Sequence, residues 1–264
     1  MAFVVPYVND IVLRLATAHD REIVSSTRSI SQDERDMILA THQPYFAPYP
    51  GFFHKIQQAD IFILLDSVQF PRGTTWISRN RFKNNQGTLW LTVPVWKKGL
   101  GLQAVNEVRI CREGRWTRKH LDSLSYAYRH APYFQEHFDF FENLYSKQLD
   151  KLIDLNLAII RYLVRKLAIQ TDIRLLSEIG LQSRGTQLIV DLCRGLGASV
   201  YLAHSHARKY LNVASFEQQG VQIDFMPPPA KVYPQLWGDF IANLSTFDVL
   251  FTCGPKAREI ALGD

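Results

Sequence analysis

The sequence predicts an α/β fold: a layered sheet with a βαβ N-terminal unit, an inserted β-hairpin and a helical insertion. Three features carry this expectation. Residues 37–41 are a short apolar run that enters a turn containing Pro44, Pro48, Pro50 and Gly51; a helical stretch and a second apolar run at 61–65 follow, so the order reads strand, helix, strand. From Trp116 the apolar period lengthens from that of a strand to that of a helix. Beyond Ile173 strand-like and helix-like segments alternate again, as they do in layered α/β proteins.

Taken in order, residues 1–36 differ in character from the rest, with a Val-rich start, a mixed charged middle and a polar stretch from Ser25 to Glu34, and with no secretory or transit pattern. Met37 is the only methionine between Met1 and Met226. We expect it to be the native start, with 1–36 a non-native or disordered extension and 37–264 the α/β domain. After the βαβ unit, residues 81–83 and 88–95 flank Asn84-Asn85-Gln86-Gly87, the composition of a hairpin turn. Residues 103–111 fit one more short strand, with Val105, Val108 and Ile110 as its apolar members.

Leu121, Leu124 and Tyr128 then share a helical face, Ala131-Pro132 ends that helix, and further helices are expected over 133–145 and 149–168. His120, His130 and His137 fall on these helices and read as ordinary surface or half-buried residues. Strands are expected at 173–176, 199–203 and 221–226, and a helix at 186–196 with Gly195 and Gly197 as its stop. Ser245 is placed to cap the last helix, with Asp248 closing a capping box and Gly254-Pro255 ending it.

Apolar residues make up 47% of the chain, enough for a sizeable core, yet no run is long and uncharged enough to span a bilayer. The three cysteines are widely spaced and form no C-x-x-C pair, which points to reduced thiols, a cytoplasmic location and no structural zinc. Net charge is +5, but residues 71–120 hold eleven Lys and Arg against Glu107 and Glu113. Such a concentration predicts an anionic partner or, more simply, a solvated basic face.

Candidate site residues follow from position. His42 and Gln43 end the first strand and Asp66 follows the second, where ligands of βαβ units sit; we expect His42 to act as acid, base or charge stabiliser with Gln43, and Asp66 to hold a divalent ion or a hydroxyl, unless it is a cap. His54 and Lys55 lie on the helix between the strands. Arg79, Arg81 and Lys83 would share one strand face and bind phosphates, with Asn80 on the other. Tyr233 and Gln235 are placed to close the site from the C-terminal side. The layout resembles that of α/β nucleotidylyltransferases, but their His-x-Gly-His signature is absent. The aromatics Trp76, Phe82, Trp90, Trp96 and Trp116, interleaved with cations, also suit single-stranded nucleic acid.

His42-Gln43-Pro44, the run Gly51-Phe52-Phe53-His54-Lys55-Ile56, Ala59-Asp60, the run from Asp66 to Phe70, Arg79-Asn80-Arg81, Tyr233 to Leu236 and Leu244 to Phe251 with Gly254 together resemble the WbqC-like proteins, over roughly Met37 to Ile260. That resemblance implies a role in bacterial surface-polysaccharide (O-antigen) assembly. Two positions depart from the family pattern: His204-Ser205-His206 stands where a Ser-Gly pair is usual, and Thr252 where Asn commonly precedes the late Cys-Gly. Two histidines do not by themselves make a metal site, and no cofactor is indicated. Residues and resemblance together lead us to expect a transferase for a nucleotide-activated or other phosphorylated anionic substrate, such as a nucleotide-sugar. A single-stranded nucleic-acid-binding protein or a non-catalytic glycan-assembly scaffold is the alternative.

Overall fold

Five parallel strands form the centre of the computed structural model, which describes residues 36–227 and 231–263. The expectation about the N-terminal extension lies outside the described residues. The opening unit is β1 (Ile38–His42), α1 (Pro50–Gln57) and β2 (Ile61–Leu64), with Leu39 opposite Ile61 and His42 opposite Leu64. Pro50 begins α1, where a missing N–H costs nothing and the fixed φ suits the first helical turn. The later strands β5 (Asp172–Leu175), β6 (Val200–His204) and β7 (Gln222–Met226) complete the sheet in the order β5-β2-β1-β6-β7.

The central strands are covered on both faces, which is why they read as continuous apolar runs. Alternate side chains enter different cores. Ala40, Phe62, Leu64 and Leu202 join one, and Leu39, Ile61, Ile63, Tyr201 and Ala203 join the other. Against the first pack α1, α4 (Leu152–Lys166), α8 (Thr246–Cys253) and α9 (Ala257–Leu262); against the second pack α6 (Gly185–Leu196) and α7 (Val213–Glu217). A fully buried phenylalanine such as Phe62 contributes about 1.5–3 kcal/mol through the removal of its surface from water.

Between β2 and β5 the chain makes the hairpin β3 (Arg79–Asn84) and β4 (Gly87–Thr92), followed by α2 (Trp116–Tyr128), α3 (Phe134–Ser146) and α4. The hairpin pairs Arg79 with Thr92 and Asn84 with Gly87, and Gly87 takes a φ of +103° that a side chain would resist. A short helix, α5 (Leu176–Ile179), follows β5.

Three expectations are corrected. Residues 103–111 do not form a strand: Val105–Glu107 is a turn of 3₁₀-helix, and only isolated bridges join Gln69 to Ala104, Val95 to Ile110 and Arg109 to Lys151. Val105 and Val108 are both buried at a spacing of one helical turn rather than on a strand's alternate positions, and the Glu107 carboxylate takes the Ala104 N–H at 3.0 Å. Ser245 does cap α8, but Asp248 closes no capping box. Its carboxylate is fully buried and accepts hydrogen bonds from the hydroxyls of Tyr128 (2.6 Å) and Tyr233 (2.8 Å). His120 and His137 are buried rather than half-exposed, with tyrosine hydroxyls of Tyr145 and Tyr162 within 3.0 Å and 2.7 Å of their Nδ1 atoms.

Candidate functional site

The chain lays down β1, β2 and β5 outward on one side and β6 and β7 on the other, so the strand order reverses between β1 and β6. Ligands of open α/β sheets enter the crevice at such a reversal, beyond the carboxyl ends of the strands. Here those ends carry His42 and His204, whose ring centroids lie 5.8 Å apart at 84°. Both line a cavity of about 470 Å3, together with Tyr45, Tyr49, Trp76 and Arg81. Asn80, His206 and Asn243 complete its wall.

His42 Nδ1 is 2.8 Å from the Gln43 carbonyl oxygen. A carbonyl accepts only, so Nδ1 carries the proton and Nε2 of the neutral ring is left with its lone pair. Tyr45 and Phe52 pack on the imidazole with centroids at 4.4 Å and 4.9 Å. Burial, with the nearby Lys55 charge as second cause, pushes the His42 pKa down to about 3, against a raising effect of the Gln43 hydrogen bond. His204 is pushed down to about 4 by burial and then by Lys55, and its Nε2 lies 3.3 Å from the Tyr49 hydroxyl. His42 and His204 are therefore neutral at physiological pH.

Lys55 lies behind them, 3% exposed. Its Nζ donates to the Thr41 carbonyl at 2.9 Å and sits 5.9 Å from the Tyr201 ring. No carboxylate is within ion-pair distance of it among the described residues, and burial lowers its pKa to about 7. Arg81 supplies the cation that lines the cavity. Its Nη2 donates to the carbonyls of Ala242 and Asn243, both at 3.1 Å, and its guanidinium is 5.6 Å from the Trp76 ring. Its buried Nε has no hydrogen-bond partner.

The remaining candidates are placed elsewhere or held by internal bonds. Asn80 donates to the Phe46 and Ala47 carbonyls at 2.9 and 2.8 Å and accepts from Arg81 N–H at 2.7 Å, which staples the turn after β1. Arg79 lies flat on Trp90, 3.5 Å from the ring centroid. Lys83 shares the strand face expected of it but is buried, donating to Gln235 Oε1 at 3.2 Å and to the Asp239 carbonyl at 2.5 Å. Gln235 also braces Ile241 through both its amide atoms, and Tyr233 donates to Asp248. Both residues thus build the strap at 231–243 whose far end, Asn243, reaches the cavity. Asp66, 2% exposed, accepts from Ser177 N–H at 2.9 Å and Ser177 Oγ at 2.6 Å, so it holds the first turn of α5. His54 Nδ1 bonds the Leu262 carbonyl and ties α9 to α1. Gln43 faces a different cavity.

Of the basic stretch 71–120, Arg81 alone lines the histidine cavity; Arg109 and Arg112 pair with Asp150, and Arg118 with Asp122. Tyr45, Tyr49, His204, His206 and Asn243 were not anticipated as site residues, and Trp76 was singled out only for the nucleic-acid alternative. The two tyrosines carried a signal, being in the turn directly after His42. Thr252, the second departure from the family pattern, donates to the Asp248 carbonyl within α8 at 2.8 Å. No group of three or more His, Cys, Asp or Glu side chains is placed to hold a metal ion among the described residues.

The WbqC-like protein family matches this sequence over residues 43–260. The chain belongs to that family. It is also similar to the uncharacterized protein Rv1507c of Mycobacterium tuberculosis, 30% identical over 224 residues that cover 84% of this chain and 96% of that protein. No solved structure matches. In this WbqC-like protein the matched region takes in the cavity residues from Tyr45 to Asn243 and starts one residue after His42. No helix among the described residues is long and apolar enough to cross a membrane.

Proposed function

We propose that this WbqC-like protein is a transferase acting on a nucleotide-activated or other phosphorylated substrate in bacterial surface-polysaccharide assembly. The observation that carries this reading is the convergence of His42, His204 and Arg81 on one cavity at the reversal of the strand order. Arg81 offers a fixed guanidinium to phosphate oxygens. Tyr45, Tyr49 and Trp76 give the same cavity flat walls that suit a nucleobase or sugar ring. His42, neutral and with Nε2 unprotonated, orients an incoming hydroxyl or amine by accepting its hydrogen bond.

The nucleic-acid alternative draws less support. Phe82 is fully buried, Trp116 packs on His120 and Tyr145, and one face of Trp90 is covered by Arg79, which leaves Trp76 and Trp96 as the exposed rings with a face open to a base.

Thermal-shift measurements with nucleotides, nucleotide-sugars and acyl-adenylate analogues test the reading. A ligand in hundredfold excess over its Kd adds about 2.7 kcal/mol of stability. One ligand class should raise the Tm of the wild-type chain and of His42→Asn but not of Arg81→Lys, and His42→Asn should abolish turnover of that ligand. A chain that responds to none of these compounds, and whose His42→Asn variant changes only stability, would instead be the non-catalytic scaffold.

A further inference from the structure

A larger cavity, of about 690 Å3, opens beside the histidine cavity and has a different chemistry. It lies beyond the carboxyl ends of β1, β2 and β5, between the segment after β2 and the entry to α6. Consecutive residues at the end of β1 separate the two: His42 lines one and Gln43 the other. Gln43, Ser67, Gln69, Gln103, Ser177 and Gln182 supply amides and hydroxyls to its wall. Ser177 and Gln103 already donate to Asp66 and to the Trp96 carbonyl. The side chains of Gln43, Ser67, Gln69 and Gln182 make no hydrogen bond among the described residues, and all but Gln43 are exposed.

Val68, Leu176, Leu181 and Leu188 give the wall its aliphatic part, and Ser183 adds a further hydroxyl. Among the described residues no aromatic ring, lysine or carboxylate lines it, and Arg184 is its single charge. A wall without rings offers nothing for a nucleobase to stack on, and one with a lone exposed arginine is poorly matched to a polyanion. Side-chain amides and hydroxyls both donate and accept, which is what neighbouring hydroxyl groups require of a binding site. Aliphatic side chains opposite them suit the C–H face of a ring. The volume falls within the range of small-molecule sites, about 300–1,000 Å3.

We propose that this cavity is a second binding site, and that it takes a neutral polyhydroxylated ring, a sugar. The inference goes beyond the phosphorylated-substrate reading of the histidine cavity and does not require it. Gln43 and Gln182 hold hydroxyls, and the leucines take the apolar face of the ring.

Saturation-transfer difference NMR on the full chain tests it, with glucose, galactose, rhamnose and N-acetylglucosamine as separate probes and uridine diphosphate as competitor. At least one sugar should show saturation transfer. That signal should weaken about three- to tenfold, the loss of one or two hydrogen bonds, in Gln182→Ala, and more in Ser67→Trp, whose ring takes up cavity space. Both positions are exposed, so both variants should keep the wild-type Tm. The signal should persist in Arg81→Lys and with excess uridine diphosphate. Absence of a signal from all four sugars would overturn the proposal. So would a signal that survives both cavity substitutions, or one lost with Arg81→Lys or competed by uridine diphosphate, since that sugar would then occupy the histidine cavity. Failure of uridine diphosphate to bind at all would count against the phosphorylated-substrate reading and leave the sugar result standing.

Discussion

Lys55 and His42 form a pair in which burial sets the protonation of both. His42 should remain neutral far below the usual histidine range, with its Cε1–H resonance titrating near pH 3 rather than 6.5. Removing the Lys55 charge in Lys55→Met should move that midpoint upward, and a midpoint that stays put would show burial alone to be responsible. Lys55 also affects stability in a defined direction. Its pKa is about 7 in the fold against 10.5 in the unfolded chain, so between those values the unfolded state binds more protons and stability rises with pH. The gain approaches about 1.4 kcal/mol per pH unit for one proton. Urea unfolding at pH 7.5 and 9.5 should show it in the wild type and lose it in Lys55→Met. That His42 would lie at the carboxyl end of a central strand was legible because it closes an apolar run just before prolines. Asp66, equally at a strand end, gave no sign that Ser177 would occupy it.

At the scale of elements, the Asp248 carboxyl joins three of them: α8, the α2 residue Tyr128, and the strap through Tyr233. Burial raises its pKa, while the two phenol hydrogen bonds and the Lys83 charge act the other way. Asp248→Ala would leave two buried hydroxyls without an acceptor and should cost about 2–4 kcal/mol, with Tyr233→Phe costing about 1–2 kcal/mol; chemical denaturation measures both. The end of α8 is equally constrained. Gly254 has a φ of +48°, and a Cβ there would lie 2.6 Å from Tyr133 ring carbons. Gly254→Ala should therefore lower Tm by several degrees, corresponding to a loss of more than about 1 kcal/mol. The sequence revealed these elements well wherever period and punctuation agreed, as in β1, α1, β2, the hairpin and α2 to α4. Residues 103–111 misled because apolar residues at mixed spacing were read as alternation. Asp248 misled because a cap and a buried acceptor look alike in a local pattern.

Across the whole molecule, buried histidines make the fold sensitive to acid. His42 is pushed down to about 3, and His120, His137 and His204 to about 4. Each is lowered below the unfolded value of 6.5, so the unfolded state takes up protons first and stability is lost as pH falls from about 6.5 toward 4. The unfolding free energy should drop by at least about 2 kcal/mol from pH 7 to pH 5, the share of one such histidine. An unchanged value would mean that these rings accept protons in the folded state. What the sequence could not disclose at this scale is which distant segments meet. Arg81 holds Ala242 and Asn243, and Asp66 holds Ser177, across separations of 161, 162 and 111 residues, and no periodicity links positions so far apart.

The excursion between β2 and β5 has a further consequence, in time rather than in space. Ile61 pairs with Asp172 and Leu64 with Leu175, so the outer edge of β2, a strand buried at every position, has no partner until the ribosome has passed residue 175. Synthesis at about 5–20 residues per second puts that delay at roughly 5–20 s. Throughout it the nascent chain carries an unpaired apolar strand edge, the kind of surface on which chains adhere to one another. The same pairing raises the contact order and slows spontaneous refolding, so yield after dilution from denaturant should fall steeply with protein concentration.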